Sequence, residues 1–319
     1  MPASGPARRE RIRGGLLAAS LVPRTSDGRL EAHAHLGYVE RLWAAGVTGF
    51  AVWAHTGRGS DLTDGERAIV LEQVRATAPE APVVAAVGGS AAERAETFGD
   101  LARTMAVQAR LAVDRGADAV MCFPPPRLLA PTIDDVRELH RRTADACGAP
   151  VIAFVLYEEG GGRLDVLDAV DRIVGEPEVM AVKIATLDSP IGYQDAVRTV
   201  RAAAPDVLVL SGEDRFLGAS LQWGADAALV GIAAVRPRVT VELVEAWRAG
   251  EARRFLECAA RVDELAQATF ARPMSGYVRR LLWLARRDGM IAVEAAYDSD
   301  GGVARAAERA DVDAYARRR

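Results

Sequence analysis

The 319-residue sequence predicts an α/β protein, a (β/α)8 barrel followed by a C-terminal helical extension. Three observations carry this reading. Eight short runs, each apolar on both faces, recur through the first three-quarters of the chain, as strands covered on both sides of a parallel sheet must be. Longer amphipathic stretches separate them, which is the alternation of a βα repeat. After Pro237 the strand signals stop and only helical patterns remain. The competing arrangement is an open doubly wound sheet; eight successive units favour the closed barrel.

In chain order the strands are expected at residues 15–21, 47–53, 83–87, 119–123, 151–156, 179–184, 207–210 and 227–231. The helices between them are expected at 31–45, 64–77, 91–115, 133–147, 164–174, 190–204 and 215–223. Their starts carry capping signals, Thr63 ahead of Asp64-Gly65-Glu66 and Thr132 ahead of Asp134-Asp135, where side-chain oxygens satisfy free helix N–H groups. Gly46, Gly116 and Gly224 stand where helices should end and strands begin. Helical patterns at 239–249, 252–267, 275–287 and 302–317 form the extension, either a packing cap or an oligomer surface. The chain thus divides into a basic tail (1–13), the barrel (14–237) and the extension (238–319), with the Arg-rich ends read as solvated.

Composition excludes several classes. The net charge of −4 supplies no field for nucleic acid or an anionic membrane. Cys122, Cys147 and Cys258 have no metal-ligand spacing, and His33, His35, His55 and His140 form no metal motif, so no metal and no cofactor are expected. No apolar run approaches the ~20 residues of a membrane helix, and the first residues lack a signal-peptide core. A cytoplasmic protein with reduced thiols is the expectation.

The basic residues point to chemistry. Of 40 Lys and Arg residues, only Lys183 is a lysine. Arginine stays protonated and cannot act as a nucleophile, whereas a desolvated lysine amine can. Lys183 falls in Val179-Met180-Ala181-Val182-Lys183-Ile184, at the end of the sixth expected strand. Barrel active sites lie at the C-terminal ends of strands. Apolar neighbours disfavour the ammonium and free the amine for Schiff-base formation with a carbonyl.

Further landmarks recur in order along the chain. Gly46-Val47-Thr48-Gly49 leads into the second strand, followed by Thr56-Gly57, Leu62-Thr63 and Glu66-Arg67. Gly116-Ala117-Asp118-Ala119 enters strand four, Val182-Lys183 ends strand six, Ser211-Gly212-Glu213-Asp214 follows at strand seven, and Gly224-Ala225-Asp226-Ala227 enters strand eight. In this order they resemble the dihydrodipicolinate synthase/N-acetylneuraminate lyase family of class I aldolases, with its GTTGE…LT..ER block, its Schiff-base lysine at Lys183 and its strand-seven SGxD. The resemblance implies a barrel with a helical extension, a homo-oligomer (tetramer or dimer), and condensation of Lys183 with pyruvate or a related 2-oxo acid. It implies an aldehyde or imine as second substrate.

The sequence departs from the family pattern at three places. His55 stands at the first of two family threonines that hold the substrate carboxylate; it is either an acid/base group or a loop histidine bonded to backbone. Thr56, Gly57 and nearby amides remain to bind the carboxylate, with Arg163 and Gly212 as further substrate contacts. Arg58 replaces an acid, and either binds an acidic group of the second substrate or pairs with Asp61 or Asp64. The family's proton-relaying tyrosine of strand five maps to Phe154 counting from Pro150, or to Tyr157 anchoring on Arg163; Tyr157 is the expected acid/base. The strand-four loop reads Phe123-Pro124-Pro125-Pro126-Arg127, without the second tyrosine of the synthases. The expected activity is therefore a Schiff-base lyase or aldolase other than the lysine-pathway synthase. The alternatives are a sugar-acid dehydratase using the same imine, or a catalytically weak 2-oxo acid binding protein.

Overall fold

The computed structural model describes residues 5–89 and 95–318. Eight parallel strands close into a barrel: β1 Leu16–Ala19, β2 Gly49–Val52, β3 Val83–Val87, β4 Ala119–Cys122, β5 Val151–Leu156, β6 Val179–Ala185, β7 Leu208–Ser211 and β8 Ala227–Val230. Closure is made by β1 on β8, with Leu17 opposite Leu229. All eight expected strands are present. The helices are α1 Gly5–Ile12, α2 Ala32–Ala44, α3 Asp64–Thr77, α4 Phe98–Asp114, α5 Ile133–Cys147, α6 Val170–Val174, α7 Pro190–Ala203, α8 Leu217–Gln222, α9 Pro237–Arg248, α10 Ala252–Thr269, α11 Tyr277–Arg287 and α12 Ala306–Arg317.

Strand alternation divides the core in two. On β6, Ala181, Lys183 and Ala185 alternate with Val182 and Ile184, so the lysine points inward and the branched residues meet the helices. The interior cluster holds small and medium side chains such as Ala51, Ala86, Ala181, Ala185 and Ala227 beside Met121, Phe154 and Leu210. The outer cluster holds the Val- and Leu-rich faces under the helices. Two-sided burial is why these strands read as continuous apolar runs.

Local signals work as their chemistry requires. Thr63 and Glu66 form a reciprocal capping box on α3, and Thr132 and Asp135 form one on α5. Gly116 and Gly224 adopt φ of 96° and 108°, a region glycine enters without a Cβ penalty. The aspartates two residues later do matching work. The Asp118 carboxylate accepts from Val83 N–H of β3 at 2.8 Å, and that of Asp226 from Val209 N–H of β7 at 2.7 Å. Each strand start therefore hands an acceptor to its neighbour, and Arg75 and Arg201 complete the two ion pairs.

Three expectations need correction. Residues 1–13 are not a solvated tail throughout: from Gly5 the segment forms α1, Ile12 joins the barrel interior, and Arg11 and Arg13 bridge to Asp118 and Asp226. An amphipathic end with one large apolar residue plugs the N-terminal mouth. The helix expected at 91–115 is described from Phe98, capped by Thr97; residues 91–94 lie outside the described residues. The segment expected as one helix at 164–174 is a 3-10 turn, Leu164–Ala169, followed by the short α6.

The extension is tied by buried arginines. Arg279 and Glu308 join α11 to α12 through bonds of 3.1 and 2.7 Å, with both side chains buried. Arg280 donates to the carbonyls of Thr269, Ala271 and Pro273, bracing the turn between α10 and α11. Replacing Asp226 by Ala strands the Val209 N–H and removes the carboxylate partner of Arg13 and Arg201. The loss is expected at about 2 kcal/mol, read as a lower Tm by differential scanning fluorimetry, with activity per folded molecule retained.

Candidate active site

At the C-terminal ends of the strands the backbone departs from regular geometry. Trp53 and Arg58 after β2, Leu187 after β6 and Arg236 after β8 all have positive φ, which costs non-glycine residues of order 1–3 kcal/mol each. Such strain clusters where a loop is shaped for function.

Beneath these loops lies a cavity of about 40 Å³ lined by Lys183, room for roughly three waters or a very small acid. The Lys183 side chain is only 8% exposed, and its Nζ lies 4.1 Å from the Phe154 ring centroid. Phe154 and Lys183 are register partners across β5 and β6. Burial lowers the lysine pKa to about 8, against the opposing pull of Asp214 and Glu213. Roughly one amine in ten is then neutral at pH 7, against a few in ten thousand for an ordinary lysine.

Gly212 is there because the lysine is. A Cβ on it would meet Lys183 Cε at 2.6 Å, so only glycine lets the side chain pass. Gly212 N–H donates to Ile184 O at 2.7 Å, locking β7 to β6 at this level.

The next two residues form distinct acids. Glu213 accepts from Thr186 N–H, Thr186 Oγ1 and Leu187 N–H at 2.5, 2.9 and 3.0 Å. It clamps the loop after β6. Asp214 accepts from Ile232 N–H at 2.7 Å and faces the lysine field; burial pushes its carboxyl up to about 7. A lysine brought down and an aspartate brought up have a small proton-affinity gap, the condition for proton exchange near neutrality.

The loop after β2 supplies the opposite wall. Thr56 lines the cavity. Gly57 is adjacent but its N–H is already used on Ala54 O at 3.0 Å, so it serves the turn and not the cavity. A Cβ there would strike Ser20 O at 2.6 Å. His55 Nδ1 is 2.9 Å from Tyr277 Oη, which in turn donates to Thr56 Oγ1 at 3.4 Å. Burial lowers the His55 pKa to about 4, with the Arg58 charge adding to it, so the imidazole is neutral. His55 is bonded to a side chain, not to the backbone partner weighed from sequence. Tyr277 also stacks on Phe270, 4.8 Å between centroids.

Two expected substrate contacts, Arg163 and Arg58, do not line the lysine cavity itself. Arg163 is buried against Asp165 and the carbonyl of Ala130, outside the lysine cavity. Arg58 pairs with neither Asp61 nor Asp64; its guanidinium grips Asp298 with two bonds of 2.8 Å and reaches Asp300 at 3.5 Å. Both partners come from the extension, 240 residues on, which no local reading reaches. Tyr157 does line the cavity, so Phe154 and Tyr157 both reach the site: Phe154 beside the lysine, Tyr157 at the strand end. Burial and nearby carboxylates keep the Tyr157 phenol protonated.

Tyr277, Phe270 and Asp214 also line the cavity, beyond the residues expected from the sequence. Asp214 was signalled by the quoted Ser211-Gly212-Glu213-Asp214 stretch. Tyr277 and Phe270 had no signal, because only the docking of α10 and α11 over the barrel mouth brings them in.

Among the described residues, no group of His, Cys, Asp and Glu is placed to hold a metal, and no helix is long and apolar enough to cross a membrane. The 4-hydroxy-tetrahydrodipicolinate synthase of Acidiphilium cryptum (strain JF-5) is 28% identical over 258 residues, spanning 81% of this chain and 83% of the relative. 4-Hydroxy-tetrahydrodipicolinate synthase 1 of Streptomyces coelicolor is 28% identical over 268 residues, covering 83% and 81%. Two solved structures share the fold. YagE, a prophage protein of the dihydrodipicolinic acid synthase family from E. coli K12 in complex with pyruvate, superposes with a TM-score of 0.82 at 19% identity, over 95% of this chain and 97% of that one. A monomeric dihydrodipicolinate synthase variant superposes with a TM-score of 0.82 at 17% identity, over 96% of each chain. The sequence profile of the dihydrodipicolinate synthetase family matches residues 13–296, so the chain belongs to that family and is a class I aldolase-type lyase.

Proposed function

We propose that this lyase forms a Schiff base between Lys183 and pyruvate or a closely related 2-oxo acid. The observation carrying the proposal is the burial of the sequence's single lysine amine, at the C-terminal end of a barrel strand, in a cavity shared with Asp214 and Thr56. The pyruvate bound by the prophage relative supports the choice of acid.

The chemistry follows from the groups present. Asp214, beyond hydrogen-bond distance of Nζ but within its electrostatic reach, takes the lysine proton through a bridging water, leaving a neutral amine that attacks the C2 carbonyl carbon. The Thr56 hydroxyl donates to the substrate carboxylate. Collapse of the carbinolamine expels water, and the leaving oxygen needs a proton. That proton comes through Tyr277, whose hydroxyl is hydrogen-bonded to both Thr56 and His55. This Thr56–Tyr277–His55 chain replaces the family's tyrosine relay, in which Phe154 and Phe123 have no acidic proton to offer. Loss of a C3 proton from the iminium then gives the enamine nucleophile. Phe123 in the strand-four loop supports an activity other than the lysine-pathway synthase.

The second reading is a sugar-acid dehydratase using the same imine: a longer polyhydroxylated chain would extend past His55 into a space with Phe123, Pro124 and Pro126 on one side and Ser60, Asp61 and Asp300 on the other.

Borohydride reduction in the presence of pyruvate should add the reduced pyruvyl mass at Lys183, located by peptide mass spectrometry. Lys183→Arg should abolish the adduct, and an adduct persisting in that variant would sink the proposal. The pH dependence has a worked sign. Because the lysine pKa is lowered to about 8, the amine is charged below that value. The rate of imine formation should therefore rise about tenfold per pH unit up to ~8 and then level. Tyr277→Phe should lower kcat by roughly 10²-fold with the fold intact by circular dichroism. Tyr157→Phe should cost less; a larger loss at Tyr157 would move the relay there.

A further inference from the structure

Beyond His55 a second chamber of about 440 Å³ opens toward solvent. His55 lines both spaces, so the chamber adjoins the cavity of Lys183. Its inner wall is apolar and continuous with the lysine. Phe154 covers Nζ, Phe123 lies 5.7 Å from Phe154 between ring centroids, and Pro124 and Pro126 extend the surface outward.

The polar side of the chamber is acidic. Arg58 is the cation among its described lining residues, and its fork is taken by Asp298, whose side chain is fully buried. Asp61 and Asp300 line the same space as carboxylates. Asp61 accepts hydrogen bonds from Ser60 and Ser299, and Asp300 lies 3.5 Å from Arg58. An acidic ligand would meet an Arg58 whose charge is already matched by Asp298, and would face the two further carboxylates of Asp61 and Asp300. The charge balance around Arg58 therefore favours an uncharged second substrate over an acidic one.

We infer that this chamber is the subsite of the second substrate and takes an uncharged aldehyde with a flat apolar body, an aromatic aldehyde in its simplest form. The inference rests on the aldolase reading above. In the synthetic direction the enamine C3 attacks the aldehyde carbon. A C–C bond forms, the carbonyl π pair moves to oxygen, and that oxygen takes a proton from the neighbouring His55–Tyr277 pair. Water then hydrolyses the iminium, releasing a 4-hydroxy-2-oxo acid and the free Lys183 amine. No oxidant or reductant enters. The reverse sequence cleaves the same product class.

The test uses the full chain with pyruvate and three aldehydes in parallel: benzaldehyde, succinic semialdehyde and glyoxylate, with products followed by liquid chromatography and mass spectrometry. Benzaldehyde should exceed either acidic aldehyde in kcat/KM by about tenfold or more. Phe123→Ala should raise KM for benzaldehyde several-fold while leaving pyruvate trapping at Lys183 unchanged. Asp298→Asn should loosen Arg58 and raise turnover of succinic semialdehyde relative to benzaldehyde. Equal or better use of the acidic aldehydes by the parent chain overturns the assignment. So does a failure to consume benzaldehyde while borohydride still traps pyruvate at Lys183; in that case the Schiff-base reading stands alone. No trapping at all overturns both.

Discussion

A primary amine buried in an apolar barrel is the constraint around which the rest of the site is arranged. Desolvation of Lys183 works against its charge, and Asp214 and Glu213 work for it. The balance leaves the amine titrating near neutrality, where a nucleophile and its conjugate acid are both available. The same constraint explains the glycine at 212, since the lysine Cε occupies the space a Cβ would need. It explains the aromatic ring of Phe154 as well, which covers the ammonium without competing for its proton.

The barrel supplies this environment cheaply in sequence terms. Parallel strands covered on both faces need only small and branched residues, and Ala181 and Ala185 leave room around the lysine between them. The opposite end is tied by ion pairs, where Asp118 and Asp226 cap neighbouring strands and meet Arg11 of α1, Arg13 just after it, Arg75 of α3 and Arg201 of α7. Strain is concentrated at the mouth, in Trp53, Arg58, Leu187 and Arg236. Separating rigid scaffold from shaped loops lets residues at one end vary without loosening the other.

The extension is more than a cap. Through Tyr277 it gives His55 and Thr56 a hydroxyl partner, and through Asp298 it matches the charge of Arg58. The buried Arg279–Glu308 pair and the Arg280 contacts with three carbonyls hold α11 and its preceding turn in place. The polar identity of both cavities thus depends on segments that follow the barrel in sequence by tens of residues.

Much was legible in the sequence alone. Eight strands, most of the helices, the capping boxes at Thr63 and Thr132 and the glycines at helix ends follow from local periodicity and local hydrogen bonding, which short stretches encode by themselves. Lys183 was legible because it is the one lysine and falls at a strand end. The tertiary structure alone decided what surrounds it. Tyr277 reaches His55 across 222 positions, and Asp298 reaches Arg58 across 240. It also turned the N-terminal segment from a tail into a plug, because Ile12 finds the open barrel end only once the barrel exists. Periodicity tells which face of an element is buried; it carries no information about which distant side chain meets that face, and partner choice sets charge, proton relay and the kind of substrate a site admits.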